Sequence, residues 1–197
     1  MKKIVIATKN KGKIREMKDA FADLPVELLS LADLGKDFPD AVEDGDTFEA
    51  NSMKKACHYQ KLTGLACLAD DSGLEVEALD GAPGVYSARF SGDNATDESN
   101  NAKLQAELKK LGVTSSKADY QCALTMVDVD GCTLQTQGFC LGEIRTTAKG
   151  DNGFGYDPYF YVGEKSMAEL TLAEKGAISH RGEALRTMAV LLKEYLK

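Results

Sequence analysis

No apolar run in this sequence approaches the roughly 20 residues that a membrane span needs. The N-terminus passes straight into a strand-like stretch, with no signal-peptide pattern. Positive charge is scarce: 24 Lys and Arg face 31 Asp and Glu, a net charge of −7. A general nucleic-acid binder needs a basic surface to displace counterions, so the charge balance argues against that class, although a small anion can still meet a local cationic pocket. The five cysteines, Cys57, Cys67, Cys122, Cys132 and Cys140, form no C-x-x-C pair and lack zinc-ligand spacing. Reduced thiols acting as small core hydrophobes in a cytoplasmic protein are the expectation. Internal repeats, low-complexity tracts and linkers are also missing. A chain of 197 residues remains, 43% hydrophobic and 28% charged, long enough to bury a good core.

The pattern predicts one α/β domain over residues 1–197. Ile4–Ala7 reads as a buried strand, Lys11–Asp23 as a helix and Val26–Leu29 as a second strand. Ala32–Asp46 is acidic and carries Gly35, Pro39 and Gly45, marks of a loop. A helix is expected from Thr47 to about Leu62, with Asp46 as N-cap, Glu49 in a capping-box-like pair and Gly64 past its end. Leu65–Ala69 reads as a short strand that enters Asp70-Asp71-Ser72-Gly73, and Leu74–Leu79 as a further extended piece. Asp97 can cap a helix carrying Leu104, Leu108 and Leu111. Asp130-Gly131 between Tyr120–Val129 and Cys132–Ile144 is a hairpin signal, which rules against a purely parallel sheet. Tyr159–Val162 is a short strand, Thr171-x-x-Glu174 a capping box, and a last helix follows Ser179.

Several stretches can carry chemistry. Thr8-Lys9-Asn10-Lys11-Gly12-Lys13 joins a strand to a helix start, where free N–H groups favour anions. It is not a P-loop: Ala7 stands where the first Gly belongs and Ile14 where the Ser/Thr belongs. The turn is either a phosphate cradle of another kind or a solvated basic turn. Asp70 and Asp71 at a strand end are either ligands of a cation or an Asx-type turn. Glu43 and Asp44 are candidate partners for them. In Gly150–Pro158 three glycines allow close backbone approach, Phe154 and Tyr156 offer faces for stacking, and Asp157 can accept from a base edge. Lys175, His180 and Arg181 supply donors, whereas His58 reads as structural.

Taken in order, Thr8-x-Asn10-x-x-Lys13, Glu43 before Thr47-Phe48-x-x-Asn51, Asp70-Asp71-Ser72-Gly73-Leu74, Gly81-x-Pro83-Gly84-x-x-Ser87-Ala88-Arg89, Gly153-Phe154-Gly155-Tyr156-Asp157-Pro158 and Ser179-His180-Arg181 closely resemble the inosine/xanthosine triphosphate pyrophosphatase family. The resemblance runs over nearly the whole chain. It implies a long mixed central sheet with flanking helices that form two lobes around a substrate cleft, assembled as a homodimer. It also implies Mg²⁺-dependent cleavage of non-standard purine nucleoside triphosphates (ITP, dITP, XTP) to the monophosphate and pyrophosphate. The implied metal ligands are Glu43 and Asp71, with Asp71 also the proton acceptor. Thr8, Lys9, Asn10, Lys11, Gly12, Lys13, Ser72, Phe154, Gly155, Tyr156, Asp157, Lys175, His180 and Arg181 map to substrate-binding positions. Lys9 departs from the family, many members of which carry Gly there.

On this reading Lys13 and Lys55 stabilise charge on the leaving pyrophosphate, and Asp71, or Asp70 through a second metal, orients or deprotonates a water. His180, Arg181 or backbone N–H groups read the oxygen at C6 of the base, where adenine would set donor against donor. An orthophosphate-releasing triphosphatase, a non-catalytic nucleotide sensor and a protein-interaction domain are the rival readings.

Overall fold

The N-terminal strand β1 (Lys2–Ile6) is apolar on both faces because both are covered. Ile4 and Ile6 join Met17, Phe21, Leu68, Leu124 and Met188 in one cluster, while Val5 and Ala7 join Ala56, Tyr59, Cys67 and Ala69 in another. A strand between two helical layers has no solvent side, so its residues need not alternate. The computed structural model describes all 197 residues and contains five helices and a seven-stranded mixed sheet.

After β1 come α1 (Lys11–Ala20), β2 (Val26–Ser30) and α2 (Phe48–Thr63), then β3 (Ala66–Val76). Next are α3 (Asp97–Lys110), β4 (Ser115–Val127), β5 (Thr133–Arg145), β6 (Phe160–Val162), β7 (Lys165–Ser166), α4 (Leu172–Ile178) and α5 (His180–Tyr195). The strand order is β2-β1-β3-β4-β5-β6-β7. β1 pairs in parallel with β2 and with β3, whereas β5–β6 and β6–β7 are antiparallel. The turn at Asp130-Gly131 joins β4 to β5, where Asp128 N–H donates to the Cys132 carbonyl at 2.9 Å.

The chain divides into two compact units. The first comprises residues 1–71, 122–138 and 181–197, and holds both clusters around β1. The second comprises 72–121 and 139–180, with its own core of Leu74, Val76, Leu104, Leu108, Tyr120, Tyr156 and Phe160 among others. Tyr120 lies 4.4 Å, centroid to centroid, from Phe160.

Several boundaries differ from the sequence reading. Thr47, not Asp46, caps α2: its side chain accepts from Ala50 N–H at 3.1 Å, and Gly64 closes the helix in the left-handed conformation. Thr96 likewise precedes Asp97 as the cap of α3. The helix expected over 11–23 stops at Ala20, where a turn leads into β2. The largest difference lies in β3, one strand of 11 residues in place of a short strand, the Asp70-Asp71-Ser72-Gly73 stretch and a second extended piece. Asp70 and Asp71 are therefore strand residues, and both are buried. The capping box of α4 is present as expected, with Thr171 and Glu174 exchanging bonds.

Candidate active site

In the first unit, Ala7 N–H donates to the Leu68 carbonyl at 2.8 Å, so the turn after β1 runs beside the approach to Asp70. Asn10 caps α1, its Oδ1 accepting from Lys13 N–H at 3.1 Å, and Thr8 Oγ1 accepts from Asn10 N–H at 3.2 Å. These two side chains shape the turn. They leave the N–H groups of Lys11 and Gly12 at the helix start, where an anion is favoured. Lys9 is drawn to Asp40 on the surface, 2.9 Å away.

Asp70 has no solvent exposure, and Lys13, Arg181 and Cys122 converge on it. Lys13 ion-pairs with Oδ1, and the Arg181 Nε donates to Oδ2 at 2.7 Å. Arg181 Nη1 reaches Glu16 at 2.8 Å, so a guanidinium only 2% exposed bridges two carboxylates. Burial alone would raise the Asp70 pKa; the Arg181 and Lys13 charges and their hydrogen bonds outweigh it and hold the carboxyl well below its usual range. The thiol of Cys122 is pushed up, by burial first and by Asp70 beside it.

Asp71 is the contrasting neighbour. It is 7% exposed, and its Oδ2 is buried with no hydrogen-bond partner in the protein. Burial, with Glu43 and Asp70 adding to it against Lys13 and Lys55, lifts its pKa to about 6. Glu43 comes from the acidic loop, and Lys55 of α2 fixes it: the ammonium pairs with Glu43 at 2.9 Å and donates to the Asp70 carbonyl at 3.0 Å. The same loop is gripped at Gly45, whose N–H donates to Asn51 Oδ1 at 2.7 Å and whose carbonyl accepts from Asn51 Nδ2 at 3.3 Å. A Cβ at Gly45 would come within 2.8 Å of that oxygen, hence the glycine. Three cations (Lys13, Lys55, Arg181) thus face four carboxylates (Glu16, Glu43, Asp70, Asp71), a set with room for more positive charge.

The second unit holds the aromatic turn. Asp157 is 2% exposed and accepts from Phe154 N–H at 2.9 Å and from Lys175 at 2.7 Å. Lys175 Nζ also stands 4.5 Å from the centre of the Phe154 ring. Asp157 therefore spends its carboxylate on the shape of the turn. Gly153 has φ +78°, and a Cβ there would collide with the same carboxylate. Tyr156 is buried, its hydroxyl donating to the Ser87 carbonyl at 2.7 Å. Burial also pushes its pKa up. Phe154 is thus the aromatic of this turn that keeps partial exposure. His180 is buried and stacked on Tyr120, with centroids 4.5 Å apart and planes 13° from parallel. Ser72, half-buried, lies in β3 next to Asp71.

The sequence-predicted residues fall into two groups. Thr8 to Lys13, Glu43, Asp71 and Arg181 belong to the first unit; Ser72, Phe154 to Asp157, Lys175 and His180 belong to the second. Glu16 escaped the sequence reading, and its only signal is its place one turn after Lys13 on α1. Cys122 is the buried core thiol expected, and it also donates to Asp70 Oδ2 at 3.1 Å. Arg181 is where its surroundings differ most from the expected duty, since carboxylates, not an open donor edge, surround its Nε and Nη1.

A mixed α/β sheet, a basic strand-to-helix turn that is not a P-loop, and a buried carboxylate pair of opposed pKa define a class of anion-handling site. The chain belongs to the Ham1 family, whose profile matches residues 4–191. It is 50% identical over 198 residues to the dITP/XTP pyrophosphatase of Geobacter sulfurreducens, covering 100% of this chain and 97% of the relative. It is 45% identical to the dITP/XTP pyrophosphatase of Desulfotalea psychrophila, covering 98% and 86%. Among solved structures, a HAM1 protein from Coxiella burnetii superposes with a TM-score of 0.87 at 40% identity, covering 98% of this chain and all of that one.

Proposed function

We propose that this protein hydrolyses non-standard purine nucleoside triphosphates, ITP, dITP and XTP, to the monophosphate and pyrophosphate, with Mg²⁺ as cofactor. The observation that carries the reading is Asp71: a buried carboxylate with an unpartnered oxygen and a raised pKa, in a chain that matches dITP/XTP pyrophosphatases end to end.

The donor set fits the metal. Mg²⁺ takes one or two protein carboxylates when substrate phosphates and water complete its octahedron, and Asp71 has a buried oxygen with no partner in the protein and the Glu43 charge acting on it. Glu43 and Asp71 would hold it. Bound there, the ion would neutralise phosphate charge that the carboxylates otherwise repel.

The residues of the chain then divide the work. The α1 start, with Thr8 to Lys13, takes phosphate oxygens. Lys13 and Lys55 oppose charge that develops on the leaving pyrophosphate as the bond from the α-phosphorus to the bridging oxygen breaks. Asp71 accepts the proton of the water that attacks the α-phosphorus. Asp70, ionised and held by Arg181 and Lys13, keeps Lys13 in place. Phe154 offers a stacking face to the base, and Lys175 and Asp157 brace that ring. Donors from His180 and nearby backbone suit an oxygen at C6. Arg181 acts through Asp70 and Glu16. The chain works in the cytoplasm as a homodimer, without nucleic-acid partners; none of its helices is long and apolar enough to cross a membrane.

The test is product analysis from ITP, XTP, GTP and ATP, with and without Mg²⁺, resolving pyrophosphate from orthophosphate. Metal-dependent pyrophosphate from ITP and XTP, with little from ATP, is expected. Orthophosphate with a nucleoside diphosphate would move the cut to the terminal phosphate and overturn the reading. Tight binding without turnover would make the protein a sensor.

A further inference from the structure

The turn that carries Phe154 is held from outside as well as by Asp157. Two side chains of α3 grip the backbone of a single residue. Asp97 Oδ2 accepts from Gly155 N–H at 2.7 Å, and Asn101 Nδ2 donates to the Gly155 carbonyl at 2.9 Å. The two are four residues apart, so they lie on one helix face. Gly155 is left-handed, with φ +62°, and nothing stands within 4 Å of where its Cβ would be. The glycine is there for its conformation and not for space, and a glycine is also free to leave that conformation. A bond to each of its polar groups restricts that freedom.

The helix is itself anchored to the segment that holds Tyr156. Asn100 Nδ2 donates to the Ser87 and Ala88 carbonyls at 3.3 and 3.2 Å, and Tyr156 donates to the same Ser87 carbonyl. Gly155 thus lies between two fixed supports, the α3 face and Tyr156. Neither Asp97 nor Asn101 belongs to the Phe154–Asp157 turn, and their ties run to its backbone.

We propose that Asp97 and Asn101 clamp Gly155 and so act as positioning residues for Phe154, setting nucleotide affinity without touching the nucleotide. The proposal rests on Phe154 being the base platform. Stacking needs the ring held in one plane. If the clamp is lost, the turn populates its competent conformation for only a fraction of the time, and apparent affinity falls by that fraction. Catalytic carboxylates lie elsewhere in the chain, so the loss belongs in KM and not in kcat. The two clamp residues differ in what an isosteric swap does. Asp97→Asn keeps an acceptor for the N–H, whereas Asn101→Asp sets a carboxylate against a carbonyl oxygen.

The test combines ITP kinetics at fixed Mg²⁺ with hydrogen exchange at the Gly155 amide in the nucleotide-free protein, on the wild type and on Asp97→Ala, Asp97→Asn, Asn101→Ala and Asn101→Asp, with thermal midpoints measured alongside. One lost bond of this kind predicts KM raised about five- to tenfold in the two alanine variants, with kcat within about twofold. Asp97→Asn should return to within about twofold of wild type, and Asn101→Asp should be worse than Asn101→Ala. The Gly155 amide should exchange about tenfold faster in Asp97→Ala. Unchanged KM in both alanine variants overturns the proposal, as does a fall in kcat that tracks the thermal midpoint at constant KM. If the wild type hydrolyses neither ITP nor XTP, the functional reading fails on its own; faster exchange at Gly155 in Asp97→Ala then upholds the clamp, and unchanged exchange overturns it.

Discussion

Arg181→Met separates the two duties that can be assigned to this residue. Methionine keeps most of the aliphatic volume and removes the guanidinium. Asp70 would remain without solvent and lose the partner at 2.7 Å, and Glu16 would lose its partner at 2.8 Å. Breaking a buried ion pair from one side costs about 3–5 kcal/mol. Lys13 still pairs with Asp70, so the lower end, about 3 kcal/mol, is expected. For a chain of this size that lowers the thermal midpoint by about 6–12 °C.

The pH dependence carries a second signature. The Asp70 pKa is depressed in the folded protein, so its contribution to stability is present above the unfolded value near 4 and is lost as pH falls through the folded value. Without Arg181 that pKa rises, and the gap between variant and wild type should narrow as the buffer is made acid. Asp70→Asn combined with Arg181→Met should recover about 1–3 kcal/mol relative to the sum of the single losses. Urea titrations from pH 7.5 down to about pH 3.5, which reaches below the unfolded value near 4, read beside kcat/KM for ITP and ATP, decide it. A midpoint within about 2 °C of wild type, joined to a selective loss of ITP over ATP, would refute the reasoning and return Arg181 to the base edge.

Asp71→Asn should remove most turnover, about a hundredfold or more, yet raise stability at neutral pH by on the order of 2–3 kcal/mol, because a carboxyl lifted from 3.8 to about 6 by burial opposes folding once ionised; full activity, or a lower urea midpoint, would contradict this. Since the folded pKa is raised, Asp71 favours the fold most below pH 4 and loses that contribution as pH rises through about 6, while the base form needed for turnover appears over the same window. The acid limb of kcat/KM should therefore lie near pH 6 at low Mg²⁺ and move down as Mg²⁺ is raised, and a limb indifferent to Mg²⁺ would separate the base from the metal ligand. Lys55→Met removes a charge that lowers the Asp71 pKa, so the limb should shift to higher pH in a pH–rate profile. Gly153→Ala sets a Cβ against the Asp157 carboxylate at a left-handed φ and should cost about 1–3 kcal/mol in urea unfolding and weaken nucleotide binding measured by calorimetry.

What the sequence makes legible here is what depends on near neighbours. The buried run of β1, the Asp130-Gly131 turn and the capping box of α4 each follow from residues a few positions apart, and the structure has all three. Thr47 and Asp46 stand side by side and both can cap, so local chemistry alone does not choose between them. Asp70-Asp71 misled for a different reason. Two adjacent carboxylates left both a turn and a cation site open because burying them is expensive, and the cations that offset the cost lie 57 positions before Asp70, at Lys13, counting back, and 111 after it, at Arg181. Such partners leave no periodic trace, so an unbroken strand of 11 residues looked like three pieces. The same holds for the glycine grips. Gly45 and Gly155 are each held by both backbone groups, but the amide on Gly45 comes from Asn51, six positions on, inside a motif that could be quoted. The grip on Gly155 comes from Asp97 and Asn101, 58 and 54 positions away, and no local pattern joins them. Side chains that hold a loop's backbone thus become visible only when the fold has closed the distance, and in this chain those are the ones that fix the loop carrying Glu43 and the turn carrying Phe154.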